Sequence, residues 1–67
     1  MNLIIDIRTK KNLTQIQMAK ILEVSQHAIS RYENKKNPSL PRFDVLCRLR
    51  RKFKLSWKLV EDAYSNR

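Results

Sequence analysis

Two short amphipathic segments, each opening on a capping residue, are separated by only Glu23 and Val24, and this spacing constrains the fold more than any other feature of the chain. The first segment starts at Thr14 with Gln17 three residues later, the pattern of a capping box in which the two residues satisfy each other's free backbone N–H groups. Met18, Ile21 and Leu22 recur at helical spacing, with small Ala19 beside them. The second segment opens on Ser25 as N-cap and runs through Glu33, with Ala28, Ile29 and Tyr32 as its inward side. Two helices joined by so short a connection must cross steeply and cannot fold back as a hairpin. A steep crossing needs a small residue at the contact, and Ala19 supplies it.

The rest of the chain reads as three further helices around this pair. The first spans about Asn2 to Lys11, with Ile4 and Ile7 on one face and Leu13 just beyond. Arg8, Lys10 and Lys11 favour its C-terminal end through the helix dipole, and Asn12 is expected as a left-handed C-terminal cap. The polar segment NKKNPSL, Asn34 to Leu40, is a loop in which Pro38 restricts Asn37 to extended conformations. A fourth helix is expected to start with Ser39 as N-cap and Pro41 in its first turn, with Phe43, Leu46, Cys47 and either the Arg50 stem or Phe53 continuing the apolar side. Ser56 caps a fifth helix, to about Ser65, with Trp57, Leu59, Val60, Ala63 and Tyr64 as its apolar positions.

The chain has 67 residues, room for one domain, and a chain this short buries only about 60% of the surface that its unfolded form exposes. Fifteen Lys and Arg against six Asp and Glu give a net charge of +9, so the field attracts polyanions: nucleic acid, an anionic membrane surface or an acidic protein. Cys47 and His27 are each the sole residue of their type, which excludes an intramolecular disulfide and a Cys/His metal site. No apolar run exceeds three residues, Leu3-Ile4-Ile5 being one, too short for a membrane span or a signal-peptide core, and the expected location is cytoplasmic. No nucleophile with a base and no usefully spaced carboxylate pair is found, so no enzymatic activity and no cofactor are expected. Single-stranded RNA modules need aromatic stacking platforms, whereas Tyr32, Phe43, Phe53, Trp57 and Tyr64 all fall at expected core or interface positions.

Arg8 together with KKNLTQIQMAKILEVSQHAISRYENKKNPS, Lys10 to Ser39, resembles the Xre-type helix-turn-helix family, which includes the Cro proteins and repressors of phages. The stretch from Thr14 to Glu33 is the most specific part of the match. The resemblance implies an all-α, compact five-helix, lambda-repressor-like helix-turn-helix domain over residues 1–67, with the motif at about 14–33 and the recognition helix at about 25–33. It also implies a small transcriptional regulator that binds double-stranded DNA, needs no small-molecule ligand or membrane, and spans a palindromic operator as a homodimer.

In such domains the N-terminal residues of the recognition helix enter the major groove. Opposite Ala28, Ile29 and Tyr32 stand Gln26, His27, Ser30 and Arg31, all able to hydrogen-bond base edges. Gln reads adenine through N6 and N7 and Arg reads guanine through O6 and N7. Arg31 reaches either a base or a phosphate, His27 is either a DNA contact or a solvated surface group, and Ser30 contacts a phosphate or nothing.

The resemblance assigns Gln15 to a DNA phosphate, at a helix N-terminus whose free N–H groups attract anions; the alternative is an exposed first-turn residue with no such contact. It assigns Asn34, Lys36 and Arg42, with Lys35 and Asn37 nearby, to a phosphate-clamping edge, and Arg8 with Glu33 to a structural ion pair. The run RLRRKFK, Arg48 to Lys54, carries five basic residues expected mainly to favour the helix C-terminus and solvent.

Glycine, common in the family at three turn positions, is replaced here by Asn12, Glu23 and Asn34, and the chain has none. Asn tolerates the left-handed conformation, whereas Glu23 should carry strain of about 1 kcal/mol. For dimerisation the resemblance points to the fifth helix and the loop before it. Trp57 is then either an interface anchor or a cap on the core, with Leu59 and Val60 expected in the core and Lys58, Glu61 and Tyr64 as rim contacts. The competing reading is a protein-interaction module such as an antitoxin; only Asp62 to Arg67 follows the expected core, which leaves little for a separate partner-binding segment. A restriction-system controller would still be a DNA-binding regulator.

Overall fold

A computed structural model describes residues 2–65 and contains five helices: α1 (Leu3–Lys10), α2 (Gln15–Leu22), α3 (Gln26–Tyr32), α4 (Phe43–Phe53) and α5 (Trp57–Ser65). Among the described residues there is no strand, and no helix is long and apolar enough to cross a membrane. Leu3, Ile4, Met18, Ala19, Leu22, Ile29, Val45, Leu49 and Val60 form one core to which all five helices contribute.

The helix starts follow from side-chain caps. Asn2 precedes α1, where its Oδ1 accepts from the Ile5 N–H at 3.1 Å while its Nδ2 donates to the Tyr32 carbonyl at 2.8 Å, tying the start of α1 to the end of α3. The capping box at α2 is complete: the Gln17 N–H donates to Thr14 Oγ1 at 3.1 Å and the Thr14 N–H to Gln17 Oε1 at 2.8 Å. Ser25 Oγ accepts from the Ala28 N–H and Ser56 Oγ from the Leu59 N–H, both at 3.1 Å.

Three helices stop in the same way. Asn12, Glu23 and Lys54 adopt left-handed backbone at φ 57°, 60° and 56°. Each is followed by an apolar residue whose N–H reaches back five residues: Leu13 to the Arg8 carbonyl at 2.9 Å, Val24 to Ala19 at 3.0 Å, Leu55 to Arg50 at 2.9 Å. This is the Schellman arrangement, and Leu13, Val24 and Leu55 complete it by packing against the core. The middle one is the turn between α2 and α3, so the short connection between these helices is made by a left-handed glutamate.

Several expectations require correction. Asn34 does not take the left-handed conformation; its Oδ1 instead accepts from the N–H groups of Lys36 and Asn37, each at 3.0 Å, and the loop turns on its side chain. The left-handed residue that the sequence did not suggest is Lys54.

The fourth helix begins at Phe43, later than expected. Ser39 is not its cap, because the Ser39 N–H donates to the Arg31 carbonyl at 3.1 Å and holds the loop against α3. Pro41 is buried before the helix starts, and Arg42 is the N-cap residue with extended backbone and no side-chain cap. The inward face also differs. Val45 and Leu49 are buried, Leu46 and Phe53 pack partly beneath them, and Phe43 points outward at 72% exposure. Cys47 is half-buried. Once Pro41 is buried ahead of the helix, the rotation of α4 turns Phe43 away from the core.

Candidate nucleic-acid interface

The buried face of α3 aims its opposite face outward. Ala28 and Ile29 are buried and Tyr32 packs against the core, so Gln26, His27, Ser30 and Arg31 are all exposed on the other side. Their presentation depends on the α2–α3 crossing, where Ala19 is buried and Glu23 and Val24 make the turn. Four hydrogen-bonding side chains of varied chemistry thus lie along a single rigid helix.

Glu33, directly after α3, is the buried charged residue among the described residues. Its Oε2 accepts from Arg8 Nε at 2.6 Å and its Oε1 from Arg8 Nη2 at 3.1 Å, the paired geometry in which a guanidinium best meets a carboxylate. Arg8 Nη1 also donates to the Leu13 carbonyl at 3.0 Å. The ion pair expected between Arg8 and Glu33 is therefore present. Gln15 joins the same group: its Nε2 donates to Glu33 Oε1 at 3.0 Å. Sequence reasoning missed this contact, because 18 residues separate the two and no local pattern links them.

Beyond α3 the loop presents Lys35 and Lys36, both exposed, with Lys36 set by its backbone bond to Asn34. Arg42 is also exposed and lies 3.5 Å from Asp44. Partial desolvation raises the Asp44 pKa. The Arg42 and Arg48 guanidinium groups and hydrogen bonds from Val45 and Arg48 outweigh it and hold the carboxyl below its ordinary value.

The RLRRKFK run divides by role. Arg48 donates through Nε to the Leu22 carbonyl at 2.8 Å and so closes the C-terminal end of α2. Arg50 places its guanidinium carbon 4.8 Å from the Trp57 ring centroid. Arg51, Lys52 and Lys54 are exposed.

A second exposed surface joins α4 and α5. Phe43 and Trp57 stack with centroids 5.9 Å apart and planes inclined by 7°. Trp57 is 46% exposed, with Lys58 and Glu61 exposed on the same helix. Val60 is core, as expected, whereas Leu59 lies at the margin.

A family model described as helix-turn-helix matches residues 4–60, most of the chain. Neither the curated proteins nor the solved structures compared with the chain gave a match.

Proposed function

Since the chain belongs to the Xre-type helix-turn-helix family of DNA-binding regulatory domains, we propose that it is a sequence-specific transcriptional regulator that lays α3 in the major groove of double-stranded DNA. The observation that carries this reading is the exposure of Gln26, His27, Ser30 and Arg31 on one side of a helix whose other side is core. Gln26 stands first in α3, where the groove is entered, and its amide matches the paired acceptor and donor of adenine. Arg31 lies further along and takes a guanine or a phosphate.

Gln15, Lys36 and Arg42 flank this face and contact phosphates, with Asn34 shaping the loop that carries Lys36. Phosphate contacts set the register and base contacts set the sequence. The net charge of +9 draws the chain to DNA of any sequence and makes binding weaken as salt rises.

Operator binding uses a two-fold dimer whose half-sites lie about 34 Å apart. The stacked Phe43–Trp57 surface supports this, because an exposed aromatic pair is the kind of anchor that a second copy covers. In a two-fold contact every residue pair recurs with the copies exchanged, so Lys58 of each copy can face Glu61 of the other. The same surface also suits a different protein, as in an antitoxin, and the oligomeric state of the purified chain separates the two readings.

The direct test is Gln26→Ala against a panel of duplexes differing at single base pairs. The expected result is a loss of about 1–3 kcal/mol of discrimination at one position of each half-site. Equal weakening on every duplex would show that Gln26 does not read a base.

A further inference from the structure

Gln15 differs from the outward residues of α3 because a buried charge holds it. Its Nε2 donates to Glu33 Oε1 at 3.0 Å, and a carboxylate only accepts. The amide nitrogen must therefore face Glu33 and the amide oxygen must turn away from it. Arg8 grips the same carboxylate with Nε at 2.6 Å and Nη2 at 3.1 Å, so the acceptor is fixed from the other side and its charge is matched. Gln15 itself is only half-buried.

We propose that Glu33 is a positioning residue for DNA binding, acting through Gln15; the proposal rests on the reading of Gln15 as a phosphate contact. The Gln15 amide nitrogen carries two hydrogens. Glu33 takes one, and the second is presented to a phosphate oxygen. An amide free to turn over would offer its oxygen to the phosphate as readily as its nitrogen, and that arrangement repels. Because Glu33 orders the amide before DNA arrives, binding does not bear the cost of ordering it. The ion pair with Arg8 thus orients a DNA contact as well as joining two helices.

The test is a double-mutant cycle with Gln15→Ala, Glu33→Gln and the double variant, on one selected duplex and one unrelated duplex, at a temperature where circular dichroism shows every variant folded. Gln15→Ala is expected to weaken binding to both duplexes by about tenfold, as loss of a hydrogen bond to a charged group does. Its salt dependence should stay that of the parent, because a neutral amide releases no counterion. In the Glu33→Gln background the further effect of Gln15→Ala should shrink to about twofold or less, the size left when the amide is no longer oriented. An equal loss in both backgrounds overturns the proposal, and so does parental binding by Gln15→Ala.

If Glu33→Gln fails to fold, nuclear magnetic resonance of the parent decides. The Gln15 side-chain amide protons should exchange slowly in the free protein and shift on addition of duplex, while those of Gln26 exchange fast before DNA is added. Gln15 protons that behave like those of Gln26 in the free protein contradict the proposal. Failure of the parent to bind any duplex removes the functional reading and the proposal together, whereas parental binding with an unaffected Gln15→Ala removes the proposal alone.

Discussion

Arg8 meets Glu33 with two donors, at 2.6 and 3.1 Å, and so fastens α1 to the residue that directly follows α3. Removing one member leaves the other charge without its partner in a desolvated place. Glu33→Ala is expected to lower stability by about 3 kcal/mol, the low end for a broken buried pair because the Arg8 side chain keeps 21% of its exposure. Chemical denaturation measures this directly, and an unchanged midpoint would mean that the pair contributes nothing to the fold.

Glu23 turns the chain between α2 and α3 at φ 60°, where any residue with a Cβ is strained. Glu23→Gly should raise stability by up to about 1 kcal/mol, the relief of strain exceeding the entropy that glycine adds to the unfolded chain. Asn34→Gly should do the opposite, because Asn34 is not left-handed and its Oδ1 holds Lys36 and Asn37. Thermal melts of the two variants side by side test both signs.

The inward face of α4 predicts unequal costs for two large apolar residues. Leu49 is completely buried, so Leu49→Ala should cost about 2–5 kcal/mol. Phe43 loses only its exposed stack on Trp57, so Phe43→Ala should cost less than about 1.5 kcal/mol. The reverse order in urea unfolding would restore the face first expected from the sequence.

Legibility differed between the two kinds of information. The starts of α2, α3 and α5 could be read because Thr14, Ser25 and Ser56 cap through bonds only three residues long. The left-handed turns at Asn12 and Glu23 could be read by comparison with the glycine positions of the family, but Lys54 could not, since it lies inside a basic run with no turn signal of its own. On α4, Phe43, Leu46 and Cys47 fit a helical stripe as well as Val45, Leu49 and Phe53 do. Two overlapping stripes are distinguished only by how the helix docks, and that depends on Pro41 and the Ser39–Arg31 bond. The outward set on α3 was legible as the complement of a clear apolar side; the Gln15–Glu33 bond, made across the fold, was not.

Acid pH should act partly through Asp44. Its pKa is lowered in the folded state, so its contribution is present above the unfolded value and is lost as pH falls through the folded one. Asp44→Asn should therefore flatten the fall of melting temperature below about pH 4 relative to the parent. A parallel fall in both proteins would show that its contacts with Arg42 and Arg48 do not affect stability.

Trp57 is the sole tryptophan and lies on the proposed dimer surface, so its fluorescence reports on burial there. Raising the protein concentration should shift its emission to shorter wavelength in step with dimer formation seen by sedimentation. Trp57→Ala should leave a folded monomer with weakened operator binding. A monomer at all concentrations, with DNA bound as one copy per site, would assign this surface to another role.

We propose that α3, carried on this basic domain, chooses DNA by sequence, and selection of binding sites from random duplexes at two salt concentrations decides the matter. A roughly palindromic motif that persists at the higher salt while non-specific binding declines is the expected result. Recovery of unrelated sequences at both concentrations, with affinity set by salt alone, would contradict it.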